Sequence, residues 1–152
     1  MASVVVRRAS HPDLDAVLSL YAELAGAKLS AAPGDRAGAE PVLAEILADP
    51  RRELTVAELD GRIVGTADLL VVPNLNLHSQ PWAIVESVVV ADAARRRGVG
   101  RALMEHLIAL ARDAGCCKLQ LLSGKHRAPA HALYRSMGLE AVAEGFKIYF
   151  DE

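Results

Sequence analysis

The feature that most constrains the fold is the run from Ala83 to Leu103, in which an apolar strand meets a helix across a short basic turn. Ile84, Val85, Val88, Val89 and Val90 are β-branched and occupy both alternating faces, as suits a strand covered on both sides. Beyond the turn the period changes. Val99, Leu103, Leu107, Leu110, Ala111 and Ala114 recur at three- and four-residue steps, which places them on one helix face. Arg101 and Glu105 fall four apart on the outer face, and Gly115 is placed to end the helix. The junction holds Arg95, Arg96, Arg97, Gly98 and Gly100. A helix start offers backbone N–H groups without internal partners and the positive end of the macrodipole. Glycines there let an anion approach the backbone, and guanidinium groups match phosphate oxygens. The junction therefore predicts a phosphate or pyrophosphate cradle. A three-arginine run alone reads as a solvated turn; the strand ahead of it and the paired glycines favour anion binding.

The anion can be narrowed. A Walker A loop needs Gly-Lys-Ser or Gly-Lys-Thr, and Gly100 is followed by Arg101-Ala102. A dinucleotide fingerprint needs a third small residue where Leu103 stands. The stretch resembles the acyl-CoA loop of the GNAT superfamily of N-acetyltransferases: Arg or Gln, two residues, Gly, any residue, then Gly or Ala. Here these are Arg95, Arg96-Arg97, Gly98, Val99 and Gly100. The resemblance extends to the strand Ile84–Val90 upstream and, downstream, to Lys118–Ser123, Ala130-His131-Ala132-Leu133-Tyr134 and Met137-Gly138-Leu139. It implies acetyl-CoA as co-substrate, its pyrophosphate held by Arg95, Arg96, Arg97, Gly98, Val99, Gly100, Arg101 and Ala102. It further implies that the backbone of Val88, Val89 and Val90 pairs with the pantetheine amides as an added strand and supplies the oxyanion donor. Tyr134 would protonate the departing thiolate. Arg127, on a second basic turn, is placed to reach the cofactor or an anionic group of the acceptor.

The length of 152 residues suits one domain, 1–152, and 52% hydrophobic content supplies a substantial core. Net charge is only −2, so the arginine cluster is local; with aromatics at 4%, a nucleic-acid surface with stacking platforms is not expected. Cys116 and Cys117 are adjacent and unaccompanied, which excludes a disulfide framework and a CxxC metal site. They read as two small residues opening a buried strand in a reducing compartment. No ligand spacing for a metal appears. No apolar run approaches the ~20 residues of a membrane span and the first residues are no signal peptide, so the expectation is a cytoplasmic protein with no membrane partner.

In chain order, Ser3–Arg8 reads as a strand. A helix capped by Ser10 follows from about His11 to Ala25, buried through Leu14, Val17, Leu18, Tyr21 and Leu24. Gly26 through Gly38 reads as a loop, and Ala39 to Ala48 as a second helix ended by Asp49-Pro50. The resemblance makes the loop around Lys28–Arg36 substrate-facing. Glu53–Leu59 and Arg62–Val72 flank Asp60-Gly61, a two-residue hairpin signal. The proline-bracketed loop from Pro73 to Pro81 leads to Trp82. After the central helix come a strand Cys117–Leu122, the basic turn Ser123–Arg127, a helix through Met137 ended by Gly138, and a last strand Glu144–Phe150. The expected fold class is α/β (α+β): one domain with a mixed, mostly antiparallel sheet flanked by helices.

Acyl transfer from a thioester to an amine needs a deprotonated amine, donors for the tetrahedral oxyanion and a proton for the thiolate; no covalent intermediate is obligatory. Glu86 is the one acidic residue inside the apolar strand, alternating onto the face of Ile84, Val88 and Val90. Burial there would raise its pKa and suit it as general base, directly or through water; the alternative is a carboxylate satisfied by backbone or arginine. Tyr134 is the expected general acid, weighed against a packed core tyrosine. His78, His126 and His131 lie in or beside site segments, though isolated histidines are more often structural. The expected function is N-acetyl transfer from acetyl-CoA to a primary amine of a small molecule, through a tetrahedral intermediate. The basic turn Lys125-His126-Arg127 suggests an acceptor with carboxylate or phosphate. Alternatives are acetylation of a protein N-terminus or lysine, a non-catalytic acyl-CoA sensor, or a nucleotide-polyphosphate binder. A homodimer is an open expectation, with Trp82 or the last strand as interface candidates.

Overall fold

A computed structural model describes residues 3–25 and 35–150. Of the expected loop Gly26–Gly38, residues 26–34 lie outside the described residues, and 36–38 instead form the first turn of the second helix, where the Asp35 carboxylate accepts from the Gly38 N–H. Five strands form one sheet in the order β1-β2-β3-β4-β5: β1 Val5–Arg8, β2 Arg52–Leu59, β3 Arg62–Val72, β4 Trp82–Val90 and β5 Leu119–Leu121. The first four are antiparallel, and β5 joins β4 in parallel, so the sheet is mixed as expected. The Asp60-Gly61 turn closes the β2–β3 hairpin with Leu59 opposite Arg62, and both turn residues take positive φ (53° and 75°).

Helices cover both faces. On one side lie α1 Leu14–Ala25, entered through a 3-10 turn His11–Asp13, and α2 Arg36–Ala48. Leu14, Val17 and Leu43 pack there on Leu54 and Val56 of β2. Leu20 is buried where the sequence pattern placed Leu24, which is exposed. At the α1 entry the Asp13 carboxylate accepts from the Ser10 N–H (2.8 Å) and from Ser10 Oγ (3.0 Å). A short helical turn, α3 Asn76–Ser79, sits in the β3–β4 loop, with Leu77, His78 and Ser79 all at positive φ.

The other face is covered by α4 Val99–Asp113, whose Val99, Leu103, Met104, Leu107 and Ala111 are buried on Ala67, Leu69, Ala83 and Val85. Each fully buried leucine of this set contributes roughly 1.5–3 kcal/mol. The helix ends as its glycine predicts. Gly115 is left-handed, its N–H bonds Arg112 O (3.0 Å), and the Cys116 N–H bonds Ala111 O (3.0 Å). The same closure ends α5 Ala128–Ser136, where the Leu139 N–H reaches Tyr134 O at 3.0 Å.

Two expectations are corrected. The strand Cys117–Leu122 shrinks to Leu119–Leu121; Cys117 is exposed in the connection, its N–H held by Pro81 O at 2.9 Å. Glu144–Phe150 forms no strand of this sheet. Alternation marks a segment as strand-competent, but a strand also needs an edge in register, and the β4–β5 ladder is only three residues long.

Candidate active site

The site is set by a bulge. Thr66 pairs with Val89 and Asp68 with Glu86, so Ala67 alone stands against Ser87 and Val88. Ser87 takes φ 52°, the left-handed conformation that accommodates the extra residue. The bulge inverts the alternation of β4. Ala83 and Val85 before it, and Val88 and Val90 after it, all meet the α4 core. Glu86 therefore shares a face with Ile84 and Val89, on the side of α1 and α2, rather than with Val88 and Val90 as strict alternation suggested. Glu86 is also exposed, so the burial on which its expected perturbation rested is missing.

The bulge also marks where β5 leaves. Ala83, Ile84 and Val85 pair with Leu119, Gln120 and Leu121, and no strand among the described residues continues the ladder along Glu86–Val90. The β4 edge is thus open to an extended ligand over Val88, Val89 and Val90. At its end the Ala91 N–H turns away to Val64 O (2.8 Å), and the chain passes through Asp92–Ala94 into the arginine turn.

In that turn Arg96 (φ 63°) and Gly98 (φ 79°) are both left-handed, and Gly98 caps α4 without any side-chain hydrogen bond to the helix start. The N–H groups of Val99, Gly100 and Arg101 at the helix start thus have no side-chain cap. A Cβ at Gly98 would meet nothing within 4 Å, which leaves open space at the cradle. Gly100 differs: a Cβ there would lie 3.1 Å from Leu133 Cδ2 and 3.8 Å from Val90 Cγ2, so its smallness serves packing against α5. The arginines divide as well. Arg95 pairs with Asp92 (2.8 Å), Arg97 reaches Asp60 at 4.0 Å, and Arg101 donates to Ser136 Oγ (2.7 Å), tying α4 to α5. All of these contacts are exposed, and Ala102 closes the first helical turn through its N–H on Gly98 O at 3.0 Å.

Tyr134 projects from α5 into the α4 core and is 8% exposed. Burial pushes its hydroxyl above the usual phenol range, opposed by the positive charge of Arg127. Arg127, the residue before α5, is thus close enough for its charge to act on the Tyr134 hydroxyl. The hydroxyl of Ser123, two residues beyond β5, is buried and has no hydrogen-bond partner among the described residues. His126 lies in the turn before α5, His131 on α5 and His78 in α3.

Sequence reasoning passed over two groups. Ser123 lies two residues beyond β5, and an orphaned hydroxyl there suits a hydrogen bond to ligand. Asp68 is the acid in the middle of apolar β3, as Glu86 is in β4, and that parallel was a readable signal. It is 4% exposed and clasped by Arg52, with Nη2–Oδ2 at 2.5 Å and Nε–Oδ1 at 3.1 Å. Tyr21 of α1 lies by this pair; burial and the Asp68 charge push its hydroxyl up to about 12.

A shallow depression at His11, Leu14, Arg36 and Leu43 lies over β2, two strands from the open edge. Among the described residues no group of three or more His, Cys, Asp or Glu can hold a metal ion, and no helix is long and apolar enough to cross a membrane.

The chain matches the acetyltransferase (GNAT) family over residues 15–139. It is 34% identical over 130 residues to glucosamine 6-phosphate N-acetyltransferase of Trypanosoma brucei brucei, spanning 82% of this chain and 83% of that protein. A solved protein of Agrobacterium tumefaciens, proposed to be an acetyltransferase, superposes with TM-score 0.86 at 38% identity, over 96% of this chain and 99% of its own. A solved transcriptional regulator of Bacillus halodurans gives TM-score 0.86 at 29% identity, over 97% and 100%.

Proposed function

The chain belongs to the acetyltransferase (GNAT) family, and on that footing we propose that it transfers the acetyl group of acetyl-CoA to the primary amine of a small molecule that also carries an anionic group. The observation that carries the donor side is the continuous path from the open β4 edge to the uncapped start of α4. The orphaned Ser123 hydroxyl and the empty space at Gly98 fit a ligand along that path. In this reading Val88, Val89 and Val90 hold the pantetheine arm by backbone pairing, and the Arg95–Ala102 turn holds the pyrophosphate. When bound, acetyl-CoA supplies an activated acetyl group, so no nucleophile of the chain is required.

The chain's own work is proton handling and placement. Glu86, exposed on β4 opposite Asp68 of β3, accepts the amine proton directly or through water. Tyr134 keeps its proton near neutral pH and delivers it to the leaving sulfur; Arg127 then steadies the phenolate that forms. Lys125 and Arg127 favour an acceptor with phosphate or carboxylate, and the trypanosomal relative is named for an amino-sugar phosphate.

Thiol release from acetyl-CoA, assayed with hexosamine phosphates, neutral hexosamines, amino acids and peptides, tests the proposal. Turnover is expected with an anionic amine, with KM at least ~10-fold below that of its neutral counterpart, and Arg127→Ala should erase most of that preference. CoA at ~100 times its Kd should stabilise the fold by about 2.7 kcal/mol. Stabilisation without turnover on any amine would favour a sensor, a reading kept open by the similarity to a transcriptional regulator. Stabilisation by ATP and not by CoA would overturn the donor assignment.

A further inference from the structure

We infer that Cys116 and Cys117 are a redox site: a hydroperoxide joins them in a vicinal disulfide, and closing that ring releases the start of β5 from β4. The pair lies in the connection between α4 and β5, outside the residues given a role in acetyl transfer. Cys117 is exposed and Cys116 half-buried. Burial, and then the charge of Cys117 beside it, push the Cys116 thiol up. The two sulfurs therefore differ in access and lie close enough to act on each other. That is the arrangement of an attacking thiol with a resolving one at its side.

The Cys117 thiolate attacks the hydroxyl oxygen of the peroxide, the O–O bond breaks, and the other oxygen leaves as alcohol (water, from hydrogen peroxide) with the proton the thiol gave up. Sulfenic acid remains at Cys117. The Cys116 sulfur then attacks the Cys117 sulfur, the S–O bond breaks, and the hydroxyl departs as water with the Cys116 proton. The two thiols lose the electron pair that the peroxide gains. Adjacent α-carbons across a trans peptide lie about 3.8 Å apart, whereas disulfides usually span about 4.4–6.8 Å, so the ring closes only if the Cys116–Cys117 peptide turns. That peptide carries the Cys117 N–H, which bonds Pro81 O at 2.9 Å; the next tie is the Ala83 N–H on Lys118 O, also 2.9 Å. These bonds begin a β4–β5 ladder of only three pairs. Beyond β5 the chain reaches Ser123 and Arg127. On the donor path proposed above, loosening β5 weakens the hold on acetyl-CoA. A strained bond of this kind is also readily reduced, which makes the change reversible.

Hydrogen peroxide on the full chain at neutral pH should give a single-chain species lighter by two hydrogen atoms, and dithiothreitol should restore the original mass. The chain has only these two cysteines, so such a loss places the bond. Cys116→Ser should instead gain oxygen at Cys117, and Cys117→Ser should resist the same exposure, because the accessible sulfur is gone. Both serine variants should keep wild-type turnover before oxidation. Amide exchange at Leu119–Leu121 should be at least ~5-fold faster in the oxidised chain. The emission of Trp82, the only tryptophan, with Lys118 Nζ 4.1 Å from its ring centre, should shift in step. KM for acetyl-CoA should rise about threefold and fall back on reduction. No loss of hydrogen, a disulfide only between two molecules, or a vicinal bond that leaves exchange at β5 unchanged would each overturn the inference. Faster exchange with an unchanged KM would leave the redox site standing and count instead against the donor path.

Discussion

Asp68 and Glu86 stand directly opposite each other on β3 and β4, on the same face of the sheet, yet their circumstances are opposite. Asp68 is buried and held by two guanidinium nitrogens of Arg52; Glu86 is exposed and has no ion pair among the described residues. The arginines repeat the contrast. Arg7 forks onto Asp13 and also holds Glu58, whereas Arg95, Arg96 and Arg97 are exposed and have, among the described residues, one close partner between them, Asp92. Charges that answer each other inside the fold hold it together. Those without an internal answer are available to a ligand. Two like charges facing each other across a strand pair repel, and here the Arg52 guanidinium is bonded to one of them, Asp68.

The sharpest way to break this contrast is to exchange the two losses. Glu86→Gln should lower kcat/KM at least ~100-fold at neutral pH, as removal of a general base does, and leave the urea midpoint within ~0.5 kcal/mol of wild type. Arg52→Met should do the converse. With Asp68 buried and unanswered, about 3 kcal/mol of stability should go, while the chemistry of the enzyme that stays folded falls far less. Urea unfolding and thiol-release kinetics on both variants decide it. If Glu86→Gln unfolds the protein, or Arg52→Met loses activity at full stability, the assignment of roles is reversed.

The division was only partly legible in the sequence, for a physical reason. Period and punctuation fixed the hairpin at Asp60-Gly61, the α4 face and both glycine-closed helix ends, because these depend on neighbours in the chain. The side of the sheet taken by Glu86 depends on one extra residue at Ser87, and serine carries no signal for a bulge. The Arg52–Asp68 clasp joins residues sixteen apart, and pairing of that kind is decided by register rather than by composition. For the tail, alternation marked Glu144–Phe150 as a strand and the structure forms none there, because a strand also needs an edge in register, which alternation does not supply. Gly100 was read as a door for the ligand, and the structure makes it a contact for Leu133.

Acid titration sharpens the paired side. The Arg7 guanidinium, with help from Ser10, holds the Asp13 carboxyl down to about 2, below its ordinary 3.8. A folded pKa below the unfolded one means that the stabilisation is complete above the unfolded value, near 4, and is lost as pH falls through about 2. Because Arg7 is a third exposed, a discounted figure of about 1–2 kcal/mol is appropriate. Asp13→Asn should lose that amount at pH 7. Its stability should then fall less steeply than that of wild type between pH 4 and pH 2. Parallel curves for the two proteins across that window would show that the pair contributes nothing.

The smallest expected effect separates backbone strain from charge on the unpaired side. Arg96 is left-handed (φ 63°) without being glycine, a conformation that costs an ordinary residue roughly 1–2 kcal/mol. Such strain is kept where it serves a site, and here it falls in the turn that leads into the uncapped start of α4. Arg96→Gly should relieve the strain but add freedom to the unfolded chain, for a net gain of at most about 1 kcal/mol in stability. The same substitution should raise KM for acetyl-CoA about two- to fivefold, the loss of one exposed cation from a phosphate site. Arg96→Lys keeps the charge and the strain, so it should leave stability unchanged and recover much of the KM. A glycine variant that is more stable and binds the donor as well as wild type would make this arginine an ordinary surface residue, and the cradle would then rest on backbone N–H groups alone.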